Sequence, residues 1–154
     1  MGTASLGPRA RRVEAGHFLN LRRAWRAGDE LTVSFEMKPL VRKNAGRVAV
    51  ERGPLVYCLE QPDNMGTRLF DASIVSSAGF VEERRPDLLG GVIVLKHEGA
   101  ESTAPLAGKP LYESLPETGF ETRPAELTLI PYYAWANRGP DQMEVWIPVA
   151  KAGR

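Results

Sequence analysis

Apolar and polar residues alternate with period two at several places in this chain and show the helical period nowhere, which predicts strands without helices. The cleanest alternation sets Leu31, Val33, Phe35 and Met37 against Glu30, Thr32, Ser34 and Glu36, a strand with one face to a core and one to water. The densest apolar stretch runs from Gly46 to Glu60. Before Gly53-Pro54, Val48 and Val50 alternate with Arg47, Ala49 and Glu51. After it, Leu55, Tyr57 and Leu59 form one row and Val56 and Cys58 the other, so this run is apolar on both faces and belongs in an interior. Proline has no N–H for a ladder and glycine weakens a strand, so Gly53-Pro54 marks a bend between sheet partners.

The remaining elements follow the same logic. Phe18 to Trp25 places Leu19, Leu21 and Trp25 on one side of an extended run, expected to pair with residues 31–37 across the turn Ala27-Gly28-Asp29. Leu69 to Val75, Phe80 to Arg84 and Val92 to Lys96 read as shorter strands, and Leu127 to Ala136 and Met143 to Ile147 as the closing pair. From Ala100 to Pro124 periodicity disappears and Pro105, Pro110, Pro116 and Pro124 recur, which predicts a solvated surface excursion. Short, closely spaced strands rich in glycine and proline make an antiparallel β-sandwich of jelly-roll type the expected all-β fold. It is expected as one domain over 16–150 with a long irregular loop near 100–124. An unstructured or cloning-derived segment 1–15 precedes it and a tail 151–154 follows.

Composition narrows the function. Twenty basic against nineteen acidic residues give a formal charge of +1, far from the concentrated basic field that nucleic acid or an anionic membrane selects. No run is long and apolar enough to span a bilayer, and Met1 to Arg12 lacks the hydrophobic segment of a signal peptide, so a soluble chain of open localisation is expected. A single cysteine, Cys58, allows neither an internal disulfide nor a structural zinc site of its own, and no cofactor is expected.

Several residues invite chemistry. Cys58 lacks the nearby cation or helix N-terminus that activates a thiol, so it is expected to be buried and inert. Glu82 and Glu83 are adjacent on a strand and point to opposite faces, which forbids joint acid and base work on one sugar. His17 and His97 stand alone and are expected at the surface rather than on a metal. Period two puts Tyr133 and Trp135 on one face of the strand through residues 132–135, with Tyr132 on the other, while Trp146 shares a face with Glu144. Core or interdomain packing is the expected role of these rings, and sugar stacking the alternative. Asn137-Arg138-Gly139 reads as a turn, with Arg138 a candidate docking residue.

Three stretches occurring in this order carry a resemblance: Gly46-Arg-Val-Ala-Val-Glu-Arg-Gly-Pro-Leu-Val-Tyr-Cys-Leu-Glu60, Pro86-Asp-Leu-Leu-Gly-Gly-Val-Ile-Val-Leu95, and Ile130-Pro-Tyr-Tyr-Ala-Trp-Ala-Asn-Arg-Gly-Pro140. With Trp25-Arg26-Ala27-Gly28-Asp29 and Val145-Trp146-Ile147-Pro148, the chain from about Gly16 to Pro148 resembles the C-terminal region of glycoside hydrolase family 127, the β-L-arabinofuranosidase-like enzymes. The resemblance implies a longer parent in which a helical barrel comes first and holds a nucleophilic cysteine with a glutamate and two more cysteines around zinc. None of those motif residues is in this chain, and Cys58 matches a different place. Met37 to Arg42 looks shorter than the matching stretch of many relatives, implying a trimmed edge strand. The expected function is therefore a non-catalytic accessory domain that braces the barrel or mediates a homodimer. A carbohydrate-binding module using Tyr133, Trp135, Arg138 and Trp146 is the alternative.

Overall fold

The computed structural model describes residues 2–6, 9–13, 16–103 and 121–150. They divide into two compact units, Met1–Lys38 and Pro39–Arg154. The expected boundary near residue 15 therefore moves to Lys38, and the expected tail 151–154 lies outside the described residues.

The first unit holds β1 (Gly2–Leu6), β2 (Arg9–Val13) and β3 (Thr32–Phe35). Both β2 and β3 pair antiparallel with β1, in the order β2-β1-β3. The segment read as unstructured thus carries two strands. Backbone pairing needs no apolar periodicity, and that segment has none to announce its strands. The expected hairpin of 18–25 with 31–37 does not form, because β3 pairs with β1 and Phe18 to Trp25 is not a strand. The turn between them is present, with Asp29 N–H donating to the Arg26 carbonyl over 3.1 Å and the Asp29 carboxylate accepting Arg26 N–H over 2.8 Å. All four residues of β3 are exposed, so its alternation does not mark a buried face.

The second unit holds β4 (Pro39–Asn44), β5 (Arg47–Arg52), β6 (Leu55–Glu60), β7 (Ala72–Val75), β8 (Phe80–Arg85), β9 (Val92–Ser102), β10 (Thr122–Pro131), β11 (Met143–Glu144) and β12 (Ile147–Ala150). Its described helical content is confined to three-residue 3-10 turns. The chain is all-β as expected, but its pairing does not separate into the two sheets of a sandwich. Strands β5, β6, β10, β9, β7 and β12 form a closed ring, antiparallel throughout except for β7 with β12. β4 lies outside the ring and pairs with β5 along its full length.

β5 and β6 make a tight hairpin through Gly53-Pro54, with Arg52 opposite Leu55 and Val50 opposite Tyr57. Gly53 sits at φ 58°, the left-handed value that the first central residue of such a turn demands. Beyond the Val50–Tyr57 pair the two strands part, and the chain from Met143 enters between them. Its first half pairs with β6, Glu144 opposite Leu59, and its second half with β5, Ile147 opposite Val48. Being antiparallel to two strands that are antiparallel to each other, it must turn between the halves, at Val145-Trp146.

Alternate residues of all six ring strands fill the interior: Val48 and Val50, Tyr57 and Leu59, Leu127 and Leu129, Leu95, Ala72 and Ile74, and Ile147. The Tyr57 hydroxyl is satisfied there by the Ile93 carbonyl at 2.9 Å. The other face of β6, β9 and β10 buries Cys58, Val92, Val94 and Ile130 under Leu88, Leu89, Met143, Val145 and Ala134. The irregular loop expected near 100–124 is shorter than that. Strand pairing runs to Ser102 opposite Thr122, and Thr103 N–H still donates to the Glu121 carbonyl. Residues 104–120 lie outside the described residues.

Candidate functional site

β10 ends at Pro131, and the chain passes into a 3-10 turn, Tyr132–Ala134, with Trp135 N–H donating to the Tyr132 carbonyl over 3.1 Å. This corrects the period-two reading that paired Tyr133 with Trp135. At three residues per turn, positions three apart fall in register. The rings of Tyr132 and Trp135 accordingly lie parallel within 9°, their centroids 6.2 Å apart. Ala134 alone of this turn is buried, and it packs against Cys58 and Ile130. Tyr132, Tyr133, Trp135 and Trp146 are 45%, 64%, 37% and 43% exposed, so none of them lies in the core, and of the expected roles interdomain packing and sugar contact are the two that stand. They miss the interior because they stand on the turn and at the kink between β11 and β12, outside the alternating rows of the ring.

Three carboxylate contacts hold the aromatic turn. Glu60, at the end of β6, is fully buried; its Oε1 accepts Ala136 N–H at 3.0 Å and its Oε2 accepts the Arg138 guanidinium. Arg138 also donates Nη1 to Asp63 Oδ1 over 2.8 Å. The hydrogen bond to Asp63, reinforced by Glu60 against the cost of burial, raises the Arg138 pKa further above its ordinary value. Arg138 is thus committed within the chain rather than free to dock. Ala136 adopts φ 62°, rare for a residue with a side chain. Asn137 Nδ2 braces it by donating to the Ala134 carbonyl over 2.9 Å.

Around Trp146 the arrangement is polar. Arg47 donates Nη1 to the Trp146 carbonyl over 2.7 Å and also pairs with Glu144 Oε1. Glu144 Oε2 is buried without a hydrogen-bond partner among the described residues. Burial raises the Glu144 carboxyl, and Arg47 partly opposes that.

The other candidates resolve as follows. Cys58 is fully buried, and burial, then the charges of Glu60 and Asp63, push its thiol up to about 12. Glu82 accepts Arg52 Nε over 2.8 Å while Glu83 lies near Arg85, so the two carboxylates do serve separate partners. His17 is exposed, but His97 is buried, contrary to the surface reading. Its Nε2 accepts Val75 N–H at 3.0 Å and Nδ1 donates to the Gly79 carbonyl over 2.9 Å, which satisfies both nitrogens and removes the usual cost of burying an imidazole. Its ring stacks on Phe80 at 4.6 Å.

Burial lowers the His97 pKa, with the Gly79 bond and Glu98 opposing. Protonation would also set a proton against Val75 N–H. A depressed folded value means that stability is full above about 6.5 and falls as pH drops below it, by at most about 1.4 kcal/mol per pH unit for this one proton. Urea melts between pH 7.5 and 5 should show that slope in the native chain and a flatter one in His97→Gln; equal slopes would remove His97 as the cause.

Sequence reading missed the polar residues that organise the surface. Glu60 closes the most apolar stretch of the chain, and nothing local announces that its partner is Arg138. Glu101 is likewise buried, accepting Arg68 Nε at 3.1 Å and Arg123 Nη2 at 2.7 Å. Burial would raise this carboxyl, but the two guanidinium bonds outweigh it and hold it below its ordinary value. A polar groove of about 300 Å³ lies over Glu101, between Asp63–Thr67 and Arg123–Glu126, and shares Asp63 with the ion network of the aromatic turn. Among the described residues, no three His, Cys, Asp or Glu side chains cluster as a metal site would require. No helix among them is long and apolar enough to cross a membrane.

Comparison with known proteins adds the family. The model of the glycoside hydrolase family 127 C-terminal domain matches residues 33–148. A non-reducing end β-L-arabinofuranosidase of Bifidobacterium longum subsp. longum is 40% identical over 135 residues, covering 78% of this chain and 20% of the relative. Among solved structures, a β-L-arabinofuranosidase of the same family from Geobacillus stearothermophilus is similar at a TM-score of 0.75 and 31% identity, over 97% of this chain and 25% of that one. A second β-arabinofuranosidase of the family gives 0.76 and 34%, over 97% and 23%. This chain spans about a fifth to a quarter of the length of these relatives.

Proposed function

Because the chain belongs to glycoside hydrolase family 127, as its C-terminal domain, we propose that it is a non-catalytic accessory domain that braces the catalytic part of such an enzyme or pairs two copies of it. The observation that carries this reading is the state of Cys58. A thiolate nucleophile needs a lowered pKa and access to substrate, whereas this thiol is pushed up to about 12 inside a packed layer. A zinc centre does not fit the residues here either: the one cysteine faces Ile130 and Ala134, and both nitrogens of the buried histidine are spent on backbone. No step of a reaction is therefore routed through this chain.

The bracing contact is drawn to β4, which among the described residues pairs on its β5 side only and leaves Leu40 and Val41 about half exposed. Pro39, Arg42 and Lys43 guard that edge against strand addition, so contact through side chains suits it better.

The test is hydrolysis of an aryl β-L-arabinofuranoside by the purified chain with added zinc, run beside Cys58→Ala. Equal background in both is expected, with Cys58→Ala folded and less stable by about 1 kcal/mol. Turnover that vanished in the variant would overturn the accessory reading. Sedimentation reads the remaining half, since a self-associated species, or one formed with the remainder of a family enzyme, should be lost on Leu40→Asp.

A further inference from the structure

We propose that the turn from Tyr132 to Arg138 is a carbohydrate-binding surface on which Tyr132 and Trp135 pack against the face of a neutral sugar ring, with Glu60 and Arg138 as its positioning residues. The first support is the rings themselves. They stack in parallel on one another and still stay exposed, and the interior takes only Ala134 from this turn. Large aromatics ordinarily serve burial, so a pair held outward needs another use.

The second support is that the turn is held in shape in advance. Ala136 is kept at φ 62°, a left-handed conformation in which the Cβ of an L-residue crowds the backbone. Glu60 commits both carboxylate oxygens to this turn, one to Ala136 N–H and one to Arg138, and Asp63 fixes the other side of the same guanidinium. A strained residue and a buried ion network spent on an exposed turn are the marks of a surface arranged before its ligand arrives.

The third support separates sugar from protein. From Ala136 to Gln142 the chain reads Ala-Asn-Arg-Gly-Pro-Asp-Gln, with no aliphatic side chain larger than alanine or proline. Protein interfaces share the preference for aromatic residues and Arg, but the centre of the buried patch is apolar and depleted of other polar and charged groups. A sugar instead needs a flat apolar face for its C–H groups beside polar groups for its hydroxyls. One such group stands on the turn itself: Asn137 donates its amide nitrogen to the Ala134 carbonyl, and its Oδ1 has no partner among the described residues.

The experiment is calorimetric titration of the whole chain, with tryptophan fluorescence in parallel, using L-arabinofuranosyl, xylosyl and glucosyl oligosaccharides as probes. Binding of at least one series is expected, weakened about ten-fold or more in Trp135→Ala and in Tyr132→Ala and unchanged in Trp25→Ala, whose ring lies in the other unit. Arg138→Met should weaken it several-fold and Arg138→Lys less, while the near-ultraviolet spectrum stays folded. Three results would overturn the proposal: no binding of any probe, binding indifferent to Trp135→Ala, or a dimer that Trp135→Ala converts to monomer, which would make the turn a protein contact. None of them depends on the hydrolysis assay, so this proposal and the accessory-domain reading fail separately.

Discussion

Glu60→Ala is expected to lower unfolding stability by about 3 kcal/mol, the lower part of the 3–5 kcal/mol range for stripping one partner from a buried ion pair. The loss has two sources: Arg138 loses its deepest counter-charge, and Ala136 N–H loses its only acceptor among the described residues while held in a left-handed conformation. Asp63 still pairs with Arg138, which keeps the expected value from the top of the range. Against a typical total of about 5–15 kcal/mol, such a loss would shift the urea midpoint visibly. The double variant Glu60→Ala with Arg138→Ala should lose less than the sum of the singles, because the second change removes the charge that the first left unpaired. A single-variant loss under about 1 kcal/mol would show that the carboxylate does not hold the turn.

Gly99→Ala is expected to be at least as damaging, although it adds one methyl group. A Cβ at this position would lie 2.5 Å from Leu127 Cδ1 and 2.7 Å from the Ser73 carbonyl oxygen. Neither can move aside cheaply. Leu127 is wholly buried in the ring interior, and Ser73 is pinned opposite Ala100, whose carbonyl accepts the Ser73 hydroxyl at 3.1 Å. Overpacking of this kind costs about 1–3 kcal/mol where neighbours can adjust, and more where one of them is backbone. Thermal unfolding of Gly99→Ala should therefore begin well below that of the parent chain, with Gly99→Val insoluble or unfolded. A midpoint lowered by less than about 2 °C would mean that β7 and β9 yield more easily than their pairing implies.

The parts of the molecule legible in the sequence are those where one local rule governs. Gly46 to Glu60 was readable as two strands around a bend because its apolar rows continue unbroken into the ring interior, and Gly53 supplied the backbone freedom the turn uses. Cys58 was readable as inert because its neighbours left it nothing to be activated by. Where two rules compete, reading failed. The alternation through Leu127 to Ala136 stops at Pro131, where the chain leaves the ladder, and the ring that meets Trp135 is Tyr132 rather than Tyr133. His97 and Glu101 were hidden for a different reason. Burial of a polar side chain is decided by partners far along the chain, Gly79 and Val75 for one, Arg68 and Arg123 for the other, and no local pattern encodes them. The ring closure was equally invisible, since strand order depends on which edges meet.

The wedge formed by Met143 to Ala150 has a consequence in time. Every other pairing of the ring can form once Pro131 is in place, but β12 joins β5 across a separation of about a hundred residues, and its loop-closure entropy must be met before any contact rewards it. Until that segment arrives, β5 and β7 each present a bare edge beside apolar rows already made, in a cell where ribosomes release the chain in order. Of the six ring strands β12 is thus the clasp, and the ring is most open to pairing with a neighbour just before it shuts.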